Sequence, residues 1–127
     1  FSNPKDLIPV AKKFSGVRFI VPNFGAGRID ELLELGKECQ NVFVDTAGSN
    51  SWMANHPEKP DLRRVFQKAM GVFGSGRILF GSDSGMFPRG YRWDILDNQL
   101  KLLQEMRIPV PDIKKIFFEN LAGLIQG

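Results

Sequence analysis

Three polar positions sit at the ends of short apolar runs, and each carries a group able to do chemistry. Asn23 follows Val17–Val21, Asp45 and Thr46 close the run that opens at Asn41, and Ser82 and Asp83 follow Arg77–Gly81. A carboxylate in such a place can accept a proton from water, hold a cation or anchor a polar ligand. The plainer reading is that polar residues commonly end strands and cap helices. That reading weighs more on Asp45 than on Asp83, which stands between Gly81 and Gly85.

Other candidates are weaker. His56 is the single histidine, and no serine and aspartate are spaced to complete a Ser-His-Asp system around it, so a solvated loop side chain is expected. The turn Gly25-Ala26-Gly27-Arg28 could offer backbone N–H groups to an anion. It lacks the third glycine of a dinucleotide pattern and a following Walker lysine, and so reads as a tight strand-to-helix turn. Arg89, Tyr91, Arg92 and Trp93 combine charge with aromatic rings and could meet a carboxylate substrate. The competing expectation there is an exposed helix start with Trp93 facing the core. Cys39 ends a helix that leads into a strand, which places it at the opposite face of the sheet as a buried small side chain.

These positions acquire meaning from the elements around them. The spacing predicts a first helix starting near Asp6, with Leu7, Val10, Ala11 and Phe14 as its stripe. Strands are expected at Val17–Val21, Asn41–Asp45 and Arg77–Gly81. Helices are expected at about 28–38 (Ile29, Leu32, Leu33 and Gly36 inward), 61–73, 93–106 (Trp93, Leu96, Leu100 and Leu103 inward), and a last one carrying Ile113, Ile116, Phe117 and Leu121. Thr46–Pro60 reads as a long polar loop. Near-continuous apolar strands separated by helices imply parallel pairing with both faces covered. The fold class is therefore α/β. In such folds ligands bind beyond the carboxyl ends of the strands, which is where Asn23, Asp45 and Asp83 fall.

Composition narrows the function class. With 127 residues the chain forms one domain, and 43% hydrophobic with 24% charged residues is ordinary for a soluble globular protein. The net charge of +3, from 17 basic and 14 acidic residues that are scattered rather than clustered, is too mild to argue for nucleic acid or an anionic membrane as partner. No apolar run reaches the length of a membrane span. One cysteine excludes an internal disulfide and fits a reducing, cytoplasmic setting.

Three segments together resemble a known family. Val17–Gly27 (VRFIVPNFGAG), Asn41–Gly48 (NVFVDTAG) and Gly76–Gly85 (GRILFGSDSG) are similar to the last three strands of amidohydrolase-related proteins, the metal-dependent hydrolases and decarboxylases of the amidohydrolase 2 type. Ile116–Ala122 is similar to the asparagine-bearing helix that closes those barrels. ILFGSD carries most of the resemblance, because it joins a sequence to a position at a strand end. The resemblance implies that residues 1–127 form the carboxyl-terminal portion, about strands six to eight, of a (β/α)8 barrel.

The resemblance also implies roles. Asp83 matches the strand-eight aspartate that binds the metal or takes the proton of the attacking water. Asn23 stands where the family usually has a histidine ligand, and is assigned with Arg89 to substrate binding. The implied reaction is hydrolysis, or decarboxylation, of a small polar or carboxylated substrate by metal-activated water, zinc being the expected ion in the parent enzyme. A catalytic zinc site commonly needs three protein ligands, and an asparagine amide substitutes poorly for imidazole. The isolated chain is expected to hold metal weakly or not at all. The alternatives are a degenerate relative that binds a ligand or partner without metal, and a receiver-like domain, which needs more strands than the three present. Three strands leave open edges, so a homo-oligomer that completes the sheet is expected.

Overall fold

The structure is a computed structural model that describes residues 3–85 and 90–127, the side chains of residues 49–51 excepted. Three parallel strands, β1 (Phe19–Val21), β2 (Val42–Asp45) and β3 (Ile78–Leu79), lie side by side in chain order. The register pairs Phe19 with Val42, Val21 with Val44, and Val44 with Ile78. Alternate residues share a face, so these five side chains lie together on one side of the sheet. That side belongs to the core, with Val42, Val44 and Ile78 fully buried. The other side carries Ile20, Phe43, Asp45 and Leu79, none of which joins the core cluster.

Two helices supply most of the cover. In α2 (Ile29–Glu38), Leu32, Leu35 and Gly36 are buried, while Asp30 and Glu31 occupy the first turn, where the helix dipole favours them. In α4 (Leu62–Phe73), Asp61 caps the amino terminus by accepting from the Arg63 N–H, and Val65, Phe66, Ala69 and Phe73 are buried. The two helices meet where α2 has no side chain. A Cβ on Gly36 would stand 2.4 Å from Phe73 Cζ, so the ring occupies the space that glycine leaves.

The amino-terminal helix starts earlier than expected. Asn3 caps a 3-10 turn at Pro4–Leu7 by accepting from the Lys5 N–H, and α1 (Ile8–Lys13) follows with Pro9 in its first turn. Of its expected stripe, Val10 and Phe14 are exposed, Leu7 packs against the core, and only Ala11 is fully buried. The stretch expected to be loop contains α3 (Ser49–Asn55). Its one adjacent apolar pair, Trp52 and Met53, gives no readable helical period, and packing of α3 against the turn after β1 decides the conformation. β3 is shorter than the apolar run suggested at both ends: Arg77 belongs to a 3-10 turn at Ser75–Arg77, and the Phe80 N–H donates to the Ile116 carbonyl, outside the sheet.

Arg77, which ends that turn, ties several elements together. Its Nη1 donates to the carbonyls of Cys39 (3.0 Å) and Val42 (3.2 Å), and its Nη2 to those of Gly36 (3.1 Å) and Val72 (2.9 Å). One guanidinium thus joins the carboxyl ends of α2 and α4 to the start of β2, with the face of Phe73 4.9 Å away. Partial burial pushes its pKa down, but a guanidinium remains charged.

The carboxyl-terminal helices close the far edge. α5 (Trp93–Glu105) buries Ile95, Gln99 and Leu103. α6 (Val110–Lys114) runs through a π-helical turn at Lys115–Glu119 into α7 (Asn120–Gln126). The π turn frees a carbonyl, and that of Ile116 accepts from the Phe80 N–H at 2.9 Å. Asn120 Nδ2 donates to the carbonyls of Ser75 (2.6 Å) and Ile78 (2.8 Å), and Phe117 stacks on Phe80 at 4.6 Å. Two groups on the outer edge of β3, the Ile78 carbonyl and the Phe80 N–H, thus find partners within the chain. β1 has no neighbour on its outer side among the described residues, and Ile20 there is 47% exposed. Beside it lies a groove of about 470 Å³ between Pro4–Leu7 and the turn after β1.

Candidate active site

The carboxyl ends of the three strands carry the polar residues expected of them. Asp45 Oδ1 accepts the Asn23 N–H at 2.9 Å and the Ala47 N–H at 3.0 Å. The first of these bonds fastens an unusual turn. Asn23, Phe24, Gly25, Ala26 and Gly27 all have positive φ, of 60°, 48°, 74°, 50° and 94°. Left-handed backbone costs roughly 1–2 kcal/mol at a residue with a Cβ, so the turn must be held from outside. Asp45 holds its start. Phe24 holds its middle, fully buried and edge-to-face on Phe66 at 5.1 Å. Asp45 thus behaves as the plainer reading had it, as a backbone acceptor that fixes where Asn23 stands.

Two glycines let the neighbouring loops close on this turn. A Cβ on Gly48 would lie 2.9 Å from Asn23 Oδ1, and one on Gly27 would lie 2.8 Å from His56 Cδ2. His56 is not a free solvated side chain. Its Nδ1 accepts the Glu58 N–H at 3.2 Å, and its ring packs edge-to-face on Trp52. Neutral His56 therefore carries its proton on Nε2.

Thr46 organises the approach to Asp83. Fully buried, it donates from Oγ1 to Gln99 Oε1 at 2.8 Å, accepts the Gly81 N–H at 3.1 Å, and its carbonyl receives Gln99 Nε2 at 3.4 Å. A Cβ on Gly81 would fall 2.7 Å from that of Ala47 and 2.9 Å from its backbone nitrogen. Glycine is thus what allows the strand-three end to lie against the strand-two end. Two residues on, Asp83 is exposed with φ 55°, a left-handed conformation that aspartate tolerates better than most residues. The serines on either side share a 2.6 Å hydrogen bond, and Ser84 Oγ accepts the Arg92 N–H at 2.9 Å.

Asn23 and Asp45 are brought together directly, whereas Asp83 makes no hydrogen bond to either. Arg89 lies outside the described residues. Sequence reasoning missed the Thr46–Gln99 pair, since a glutamine on a helix gives no sign of being buried, and it misplaced Trp93. That residue is 66% exposed and packs edge-to-face on Tyr91 at 4.7 Å, while Ile95, Gln99 and Leu103 form the buried side of α5. Cys39 is buried at the other end of the sheet, as expected. Among the described residues no group of three or more His, Cys, Asp or Glu side chains is placed to hold a metal ion. Asp45 Oδ1 accepts two N–H groups and His56 Nδ1 a third, so these two atoms are engaged within the chain.

Parallel strands in chain order with helices on one face and polar residues at the carboxyl ends describe an arc of a (β/α)8 barrel. Comparison with solved structures agrees. An amidohydrolase from Burkholderia multivorans with bound HEPES matches with a TM-score of 0.72 at 14% identity, over 94% of this chain and 48% of that one. A second crystal form of an amidohydrolase from that organism, with bound zinc, matches with a TM-score of 0.69 at 15% identity and the same coverage. The chain spans about half the length of these structures. The amidohydrolase family model matches residues 1–120, and the chain belongs to that family. Comparison with curated proteins gives no significant match. No helix among the described residues is long and apolar enough to cross a membrane.

Proposed function

We propose that the chain is the carboxyl-terminal portion, strands six to eight, of an amidohydrolase-like hydrolase acting on a small polar substrate, with Asp83 as the carboxylate that serves the attacking water. The observation that carries this reading is the position of Asp83, exposed just beyond β3 in a chain matched by the family over residues 1–120. Thr46 and Gly81 fix the loop that bears it. A carboxylate so placed can take a proton from water and return it to a leaving group. Asn23, set by Asp45 in the neighbouring turn, offers an amide able both to donate and to accept, which suits substrate binding.

The zinc-bound neighbour supports a divalent metal in the family. The donors described in this chain fall short of a metal site, so any such ion draws its other ligands from elsewhere. A second reading, in which Asn23 marks the loss of a metal ligand, is a relative that binds a ligand without metal. Replacing Asp83 by Asn in a polypeptide that also carries the remaining barrel strands separates the two. The first reading expects turnover to be lost with the fold intact. Unchanged turnover removes Asp83 from the chemistry.

The same reading bears on partners. In a whole barrel both edges of the sheet take the remaining strands. In the 127-residue chain taken by itself, Ile116 and Asn120 occupy part of the β3 edge, and a second copy adds beside Ile20 on β1. A second copy meeting the first there about a two-fold axis completes both edges and stops at a dimer.

A further inference from the structure

A side chain cuts the ladder between β2 and β3 short. The register that pairs Val44 with Ile78 and Asp45 with Leu79, carried one residue on, sets Thr46 beside Phe80. The Thr46 N–H keeps to that pattern and donates to the Leu79 carbonyl at 3.0 Å. The next rung of a parallel ladder would run from the Gly81 N–H to the Thr46 carbonyl. Instead the Gly81 N–H goes to Thr46 Oγ1 at 3.1 Å, while the Thr46 carbonyl receives Gln99 Nε2 at 3.4 Å. Gln99 Oε1 accepts the Thr46 hydroxyl at 2.8 Å, which leaves the lone pairs of that oxygen to Gly81. A side-chain hydrogen bond thus replaces a backbone one where the chain leaves the sheet, two residues before Asp83.

We propose that Gln99 is a positioning residue for Asp83: it holds the Thr46 carbonyl out of the ladder, so that the chain leaves the sheet at Gly81 and presents Asp83 beyond β3. This role rests on the hydrolase reading above, to which it adds a residue. Gln99 is 1% exposed and shares the buried side of α5 with Ile95 and Leu103. An amide is costly in such a place unless its bonds are made, and a leucine would pack there without that cost. The same helix reaches the loop a second time, since the Arg92 N–H at its start donates to Ser84 Oγ at 2.9 Å. α5 therefore grips the chain on both sides of Asp83, at Gly81 through Thr46 and at Ser84 directly. This double hold keeps Asp83 at φ 55°, a conformation that must be fixed by its surroundings.

The test is solution NMR of the full 127-residue chain, read in two ways. The scalar coupling carried through a hydrogen bond from an amide nitrogen to a carbonyl carbon detects the Gly81–Thr46 rung. The residual dipolar coupling of the Asp83 amide, taken relative to those of the strands, reports how that peptide plane stands. The native chain is expected to lack the Gly81–Thr46 coupling. Gln99→Leu should make it appear and should move the Asp83 dipolar coupling. The double variant Thr46→Val/Gln99→Leu should do the same. Because it removes both side chains of the Thr46–Gln99 bond together, it leaves neither one buried without the other, and it decides the matter where Gln99→Leu alone unfolds. Thr46→Ser retains the hydroxyl and should read as native. A Gly81–Thr46 coupling in the native chain overturns the proposal, as does an Asp83 dipolar coupling that neither variant lacking Gln99 moves. Thr46→Ser reading like the double variant overturns it too, since packing of the threonine methyl would then be the cause. A merely structural glutamine would change the urea midpoint and leave both NMR signals as they are. No turnover is measured, so this test and the Asp83→Asn activity test can each fail alone.

Discussion

The Asp45 carboxylate offers a direct check on how the mouth of the sheet is built. Its Oδ1 receives two backbone N–H groups, one from the first residue of a five-residue left-handed turn. Hydrogen bonds to a charged group contribute about 1.5–3 kcal/mol each. Asp45 is partly buried, so water recovers a share of that once the carboxylate is gone. Asp45→Ala should therefore cost about 2–4 kcal/mol, on the order of 10 °C in Tm for a domain of this size. Asp45→Asn keeps an acceptor oxygen in place and gives up only the charge, so its cost should be about 1 kcal/mol. Urea unfolding followed by far-UV circular dichroism measures both. Amide chemical shifts of Asn23 and Ala47 report whether the two bonds survive. Equal losses from the two substitutions would refute the reasoning, since the stability would then depend on charge and not on a placed acceptor. A loss below about 0.5 kcal/mol for Asp45→Ala would refute it as well, because the turn would be holding itself.

Three further outcomes follow from the same structure. Arg77→Ala should destabilise the chain by about 3 kcal/mol, and Arg77→Lys should recover less than half, because three ammonium donors on a flexible stem cannot replace a planar fork on four carbonyls; a lysine variant as stable as the native chain in urea would contradict this. The two Arg92 hydrogen bonds hold the Asp94 carboxyl at about 2, below its ordinary 3.8, so its contribution to stability is present above 3.8 and disappears as pH falls toward 2. Asp94→Asn should accordingly flatten the acid limb of the stability curve in that window, and an unchanged slope would exclude the pair as its source. Sedimentation equilibrium should show a monomer–dimer balance that Ile20→Lys on the open edge shifts to monomer; a native chain monomeric at high concentration would remove the pairing at β1.

Much of the architecture was legible in the sequence because it rests on local periodicity. Leu32 in α2 and Val65, Phe66, Ala69 and Phe73 in α4 recur at helical spacing, and the buried faces of both helices follow from it. The three apolar runs gave three parallel strands in chain order, and Asn23, Asp45 and Asp83 fell at their carboxyl ends, since a chain that alternates strand and helix must carry its loops there. The buried place of Cys39 followed from the same alternation. What the tertiary structure alone decided are contacts between residues far apart in the chain, which have no period to betray them. Thr46 meets Gln99 across 53 positions and Asn120 reaches Ile78 across 42. Arg77 finds carbonyls on two helices and a strand, and Gly81 makes room for Ala47. Trp93, at a position that local spacing turned inward, ends up in water because Ile95, Gln99 and Leu103 take the buried side of α5. Local spacing tells a helix that it has an apolar side, and only the packed neighbours determine which residues that side can hold.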